Sequence, residues 1–163
     1  MNGMMALPQG QQRSGVHIFE YDARFGKAYP VQFVQYDYNH PLDVPEHLRG
    51  ACDYVLADPP YLNPQCVTEF FQTMQLLARV PWSADAAPDA EVTPMMFVTS
   101  PRNHAQLLRD MGMRRTPFQV KFQSKFATPI AIFLNYRSTR LGDFVHEDPE
   151  SEDEAEAPPP EPA

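Results

Sequence analysis

Residues 54–64 read YVLADPPYLNP, and no other stretch narrows the possible folds as much. A short apolar run ends on Asp58, and Pro59 and Pro60 then forbid its continuation. Each proline lacks a backbone N–H and fixes φ, so neither a central strand nor a helix interior can pass through the pair. Residues 53–57 therefore read as a strand that stops there, apolar enough to be buried on both faces of a parallel sheet. Just beyond, CVTEFFQTMQLLARV sets Val67, Phe70, Phe71, Met74, Leu77 and Ala78 at three- and four-residue spacings, the period of an amphipathic helix. Asn63 suits its N-cap and Pro64 its first position.

The flanking segments extend this unit. VHIFE (16–20) and VQFVQY (31–36) are β-type runs, joined by DARFGKAY as a turn or short helical piece. MMFVT (95–99) is a fourth strand, and residues 101–111 contain a second helix ending at Gly112. FQVKFQ and PIAIFLNY read as two further strands, expected as an antiparallel pair. Strands alternating with helices argue an α/β layered fold with a mostly parallel sheet. Residues 80–94 are expected to form a long, mobile surface loop. Residues 1–15 carry no period and read as loose, leaving residues 16–142 as the folded domain.

The formal net charge of −8 belongs to one end. From Asp143 onward the chain holds nine of its 21 acidic residues and neither lysine nor arginine. That Pro-rich acidic tail, residues 143–163, cannot bury enough apolar surface to fold. The preceding body is nearly neutral, so it lacks the broad positive footprint of a duplex nucleic-acid binder. Two cysteines, Cys52 and Cys66, support neither a disulfide framework nor a metal site, and no metal is expected. No run approaches the ~20 apolar residues of a membrane span. With no secretory signal, a cytoplasmic protein is expected, and a monomer by default.

Three of the expected strands end on acids: Glu20, Asp37 and Asp58. In open α/β sheets, ligands bind at the carboxyl ends of strands. Glu20 could accept hydrogen bonds from both hydroxyls of a ribose, or it could be a solvated loop acid or a partner for Arg24. Asp37 could take the exocyclic amine of an adenine, or simply form the turn in DYNHP. Asp58-Pro59-Pro60-Tyr61 is sharper. A primary amine attacking a methyl sulfonium must present its lone pair, so its hydrogens have to be held off the line of attack. The Asp58 carboxylate and the Pro59 carbonyl can accept them, and the double proline fixes their direction in advance. Tyr61 offers a π face for a cation or a flat base. The plain alternative is a proline turn after a buried strand.

The tetrapeptide matches the Asp/Asn-Pro-Pro-Tyr/Phe/Trp signature of amino-group methyltransferases that use S-adenosylmethionine. HIFEYDARF, QYDYNHPLDVPE, DYVLADPPYLNPQC and FLNYRS, taken in order, closely resemble the lysine methyltransferase family that modifies translation elongation factor 1-alpha. That family was first described as N-6 adenine-specific DNA methyltransferases. The resemblance covers roughly residues 17–144. It implies a Rossmann-like class I methyltransferase fold, S-adenosylmethionine as cofactor and elongation factor 1-alpha as protein partner. It further implies that Glu20 holds the cofactor ribose and Asp37 approaches the adenine. Asp58, Pro59, Pro60 and Tyr61 then shape the transfer site, with Phe19 and Tyr38 as wall residues.

Members of this family carry a longer N-terminal region with the first strand of the sheet and the cofactor loop. Nothing in MNGMMALPQGQQRSG resembles it, so the expectation is an incomplete version of a longer protein. Two alternatives stand beside lysine methylation. One is adenine methylation in nucleic acid, for which Arg102, Arg109, Arg114, Arg115, Lys121 and Lys125 offer only a modest basic cluster. The other is an inactive fragment or binding module of the same fold.

Overall fold

The computed structural model describes residues 15–60, 63–85, 90–120 and 130–145, with the backbone alone at 101–103. The chain divides into two compact units, Met1–Asp43 and Val44–Ala163; the stretch 16–142 read as one folded domain spans both.

In the first unit, β1 (Ile18–Glu20), α1 (Arg24–Ala28) and β2 (Phe33–Gln35) follow one another, and the two strands pair in parallel. A parallel pair needs a crossover between its strands, and the five-residue α1 forms part of it. Asp22 organises its entry: its carboxylate accepts the Arg24 N–H at 2.9 Å and pairs with the Arg24 guanidinium. The helix lies close on β2, because a Cβ added at Gly26 would sit 3.1 Å from the Phe33 ring. Both strands are three residues long, shorter than the runs 16–20 and 31–36 suggested.

The second unit opens with a 3-10 turn at Glu46–Leu48. It continues through β3 (Val55–Ala57), α2 (Pro64–Leu77), β4 (Met95–Thr99), α3 (Pro101–Asp110), β5 (Arg114–Arg115) and β6 (Ala131–Leu134). Its four-stranded sheet has the order β3-β4-β6-β5. The β3–β4 pair is parallel, with α2 as the crossover, and the other two pairings are antiparallel. Phe97, Phe133, Met95, Leu108, Met113 and Leu134 are fully buried at its centre. Burial of each such side chain is worth about 1.5–3 kcal/mol.

The helices end for identifiable reasons. The last carbonyls of α2 have no partner within the helix; those of Leu76 and Leu77 accept from the Gly50 and Cys52 N–H groups at 2.9 Å. At the end of α3, the Gly112 N–H donates to the Arg109 carbonyl and the Met113 N–H to the Leu108 carbonyl, a Schellman closure. Gly112 has φ +75, and a Cβ there would lie 2.2 Å from the Trp82 ring, so geometry and space both require glycine.

Two expectations are corrected. Residues 53–57 were expected to be buried on both faces, yet Leu56 is 57% exposed. The reason is alternation: Val55 and Ala57 point to the buried face of β3, and Leu56 points to the opposite face, which is left exposed. The partner expected for the last strand was FQVKFQ; β6 instead pairs with Arg114–Arg115. Phe118, Gln119 and Val120 are not in a strand, and residues 121–123 lie outside the described residues. The loop expected at residues 80–94 is held near its two ends. Val80 and Thr93 exchange backbone hydrogen bonds across its base, through the Thr93 hydroxyl in one direction. Gln75 holds the Trp82 backbone through both ends of its amide, at 2.7 and 2.8 Å. Residues 1–14 and 146–163, which include most of the loose N-terminus and the acidic tail, lie outside the described residues.

Candidate functional site

Asp58 stands one residue beyond the carboxyl end of β3 and is exposed; Pro59 behind it is buried and Pro60 is exposed. Tyr61 lies outside the described residues. The buried proline seats the turn in the second unit, with the exposed acid directly before it. The segment is gripped at both ends by α2. Upstream of β3, the Cys52 N–H donates to Leu77, the Arg79 N–H returns to the Cys52 carbonyl, and Arg79 pairs with Asp53 at 2.5 Å. Downstream, the Asn63 side chain accepts the Cys66 N–H at 2.8 Å, the cap anticipated from sequence. The Cys66 thiol also donates to the Pro60 carbonyl at 3.5 Å. Sequence alone treated Cys66 as an ordinary thiol. Its place three residues beyond an Asn-Pro cap, six beyond Pro60, was the signal that could have marked it.

The parallel β3–β4 pair puts Thr99, the last residue of β4, on the same sheet edge as Asp58. The Thr99 hydroxyl is buried and has no hydrogen-bond partner among the described residues. A polar atom left in that state costs about 1–3 kcal/mol.

In the first unit, parallel register brings Glu20 level with Gln35, so Glu20 and Asp37 stand at one strand-end edge. Glu20 is half-buried, and its Oε1 accepts the Asp22 N–H at 3.0 Å. Its other oxygen has no hydrogen-bond partner among the described residues. Arg24 is taken by Asp22, so the plain reading of Glu20 as an arginine partner does not hold. A carboxylate with one oxygen fixed and one open at a strand end fits the hydroxyl pair of a ribose. Asp37 is more occupied. Its Oδ1 accepts the Asn39 N–H at 3.0 Å and the Asn39 side-chain amide at 2.8 Å, and Oδ2 faces His40 at 3.5 Å. The Asn39 hydrogen bonds hold its carboxyl below the usual carboxylate range. The turn-forming role is therefore real, and it leaves Oδ2 with acceptor capacity. Phe19 meets Tyr36 edge to face, with ring centroids 5.8 Å apart. Tyr38 is half-buried beside Asp37.

Parallel strands closing on acids, with a proline-braced carboxylate ahead of a capped crossover helix, are features of the Rossmann-like α/β fold of methyltransferases. The chain belongs to the family described as probable N6-adenine methyltransferase, whose model matches residues 4–138. It is 47% identical over 129 residues to EEF1A lysine methyltransferase 1 of Mus musculus, covering 78% of this chain and 54% of that protein. The Homo sapiens protein of the same name is 30% identical over 129 residues, with the same two coverages. A protein-lysine N-methyltransferase of Caenorhabditis elegans is 32% identical over 121 residues, covering 74% of this chain and 50% of that protein. The chain thus spans about half the length of the curated relatives it matches. No solved structure matches it.

Proposed function

We propose that this chain is the substrate-orienting part of an S-adenosylmethionine-dependent protein-lysine N-methyltransferase acting on elongation factor 1-alpha in the cytoplasm. The observation that carries the reading is Asp58-Pro59-Pro60 at the end of β3, braced from both ends of α2. When bound, S-adenosylmethionine supplies a methyl group on a positively charged sulfur. Glu20 would hold its ribose, and Asp37 its adenine amine, with Phe19 and Tyr38 beside them.

The lysine amine must arrive without its extra proton, since the free side chain has a pKa near about 10.4. Asp58 and the Pro59 carbonyl accept the remaining N–H hydrogens and aim the lone pair. Tyr61, assigned from the sequence motif alone, would offer a ring to the cationic centre. Held by Glu20 and Asp37, the cofactor would supply the methyl carbon to that lone pair and would retain the former carbon–sulfur electron pair as a neutral thioether. The methylated ammonium then gives its proton to solvent. Asp58 serves as an acceptor that orients the amine rather than as a strong base.

The family's description favours a second reading, transfer to the amino group of adenine, which uses the same acceptors. It requires an extruded base and a positive groove. Of the proposed basic cluster, Arg114 is committed to the Arg109 and Met113 carbonyls at 3.0 and 3.1 Å. The test is to offer the chain labelled cofactor with elongation factor 1-alpha and, separately, an adenine-containing oligonucleotide. Label on a protein lysine supports the leading reading, and label on the oligonucleotide alone replaces it. Label on neither assigns the chain to the inactive or binding-module reading.

A further inference from the structure

Each proline of the Asp58-Pro59-Pro60 turn fixes its own φ, and a residue before proline is confined to extended ψ. Asp58 and Pro59 both precede a proline, so both are restrained by the sequence itself. The ψ of Pro60 is the torsion that this chemistry leaves soft, and it sets where the Pro60 carbonyl points. We propose that Cys66 is a positioning residue of the transfer site, its thiol fixing the Pro60 carbonyl and so completing the rigidity of the turn that presents Asp58. This rests on the reading of that turn as the amine-orienting rim.

Cys66 is fully buried at the third position of α2. It contributes two restraints at once. Its N–H, one of the helix's unpaired first-turn donors, goes to the Asn63 side chain at 2.8 Å, and its S–H goes to Pro60 at 3.5 Å. Burial, with a smaller contribution from the Glu69 charge, pushes the thiol above its ordinary range, so the proton needed for donation is retained at neutral pH. The helix N-terminus and the proline turn are thereby joined through one side chain.

The test compares Cys66→Ala, which removes the donor, with Cys66→Ser, which keeps one. Cys66→Val, which fills the space without a donor, replaces the alanine variant should that fail to fold. Amide hydrogen exchange is read over residues 58–66 and, on the same helix, over residues 70–77. Loss of one S–H···O contact predicts exchange about two- to fivefold faster over 58–66 in the alanine variant, with 70–77 unchanged and serine near wild type. Methyl transfer should follow, with kcat lowered by a similar factor, cofactor KM unmoved and serine restoring the rate. The inference is overturned if alanine and serine exchange alike, or if alanine speeds exchange equally across 58–77, the mark of a packing defect. Should the wild-type chain transfer no methyl group to lysine, the proposed function falls, while the exchange comparison still decides the role of Cys66.

Discussion

Among its described residues the first unit buries only Tyr36, whereas the second fully buries six large apolar side chains across β4, β6, α3 and the turn after α3. Two strands of three residues each are marginal as a sheet, so Glu20 and Asp37 keep their geometry through local bonds: Glu20 to the Asp22 N–H, Asp37 to Asn39. Asp58 rests instead on a strand, a buried proline and a helix tied at both ends. The proposed cofactor acids therefore sit on a lightly built element, and the proposed amine-orienting acid on a heavily built one. Rigid support matters most where a reacting atom must be aimed, and the packing lies with the acid proposed for that role.

The largest expected effect comes from the heavy side. Phe97 and Phe133 are cross-strand partners with no exposed surface. Phe97→Ala should cost about 3–5 kcal/mol, read as a lowered denaturant midpoint of the second unit. A loss under about 1 kcal/mol would show that unit to be loosely packed. Next, Asn63→Ala removes the α2 cap and should cost about 1 kcal/mol. Exchange should rise first over residues 63–66, and uniform fraying along the helix would contradict the proposed anchoring. In the first unit, Phe19→Ala loses the edge-to-face contact with Tyr36. The expected loss is about 0.5–1.5 kcal/mol, confined to exchange in residues 17–36.

The smallest effect is an acid one. The Asn39 hydrogen bonds favour the charged form of Asp37, so the turn is supported above the ordinary aspartate value and loses that support as pH falls through the lowered one. Chemical shifts of Asn39 and His40 should therefore respond to Asp37 only below about pH 4. A response near neutral pH from that carboxylate would remove the hydrogen bonds from the account.

Much of this was legible in the residues. β4 was expected at 95–99 and is found at Met95–Thr99; the Asn63 cap and Pro64 start of α2 were likewise read from chemistry that acts locally. What escaped depends on tertiary position. Leu56 sits in an apolar run that looks buried on both faces, and only the tertiary packing shows that its face of β3 is left open. β5 is two arginines with no β pattern, a strand solely because β6 pairs with it. The Asn of FLNY carried no assigned role, yet the Asn135 side chain accepts the Met95 N–H at 2.7 Å and donates to the Thr93 carbonyl at 3.0 Å, extending the pairing of β4. The Cys66–Pro60 link spans six residues and becomes visible only once the helix start is placed.

The most direct measurement is turnover and stability of Asp58→Ala beside the wild-type chain, with elongation factor 1-alpha as methyl acceptor. Because Asp58 is exposed, its loss should shift unfolding by no more than about 0.5 kcal/mol. Methyl transfer should fall by at least about a hundredfold, the scale for removing one preorganised polar contact to a reacting group. Equal turnover in the two proteins would mean that the proline-braced carboxylate does not orient the amine.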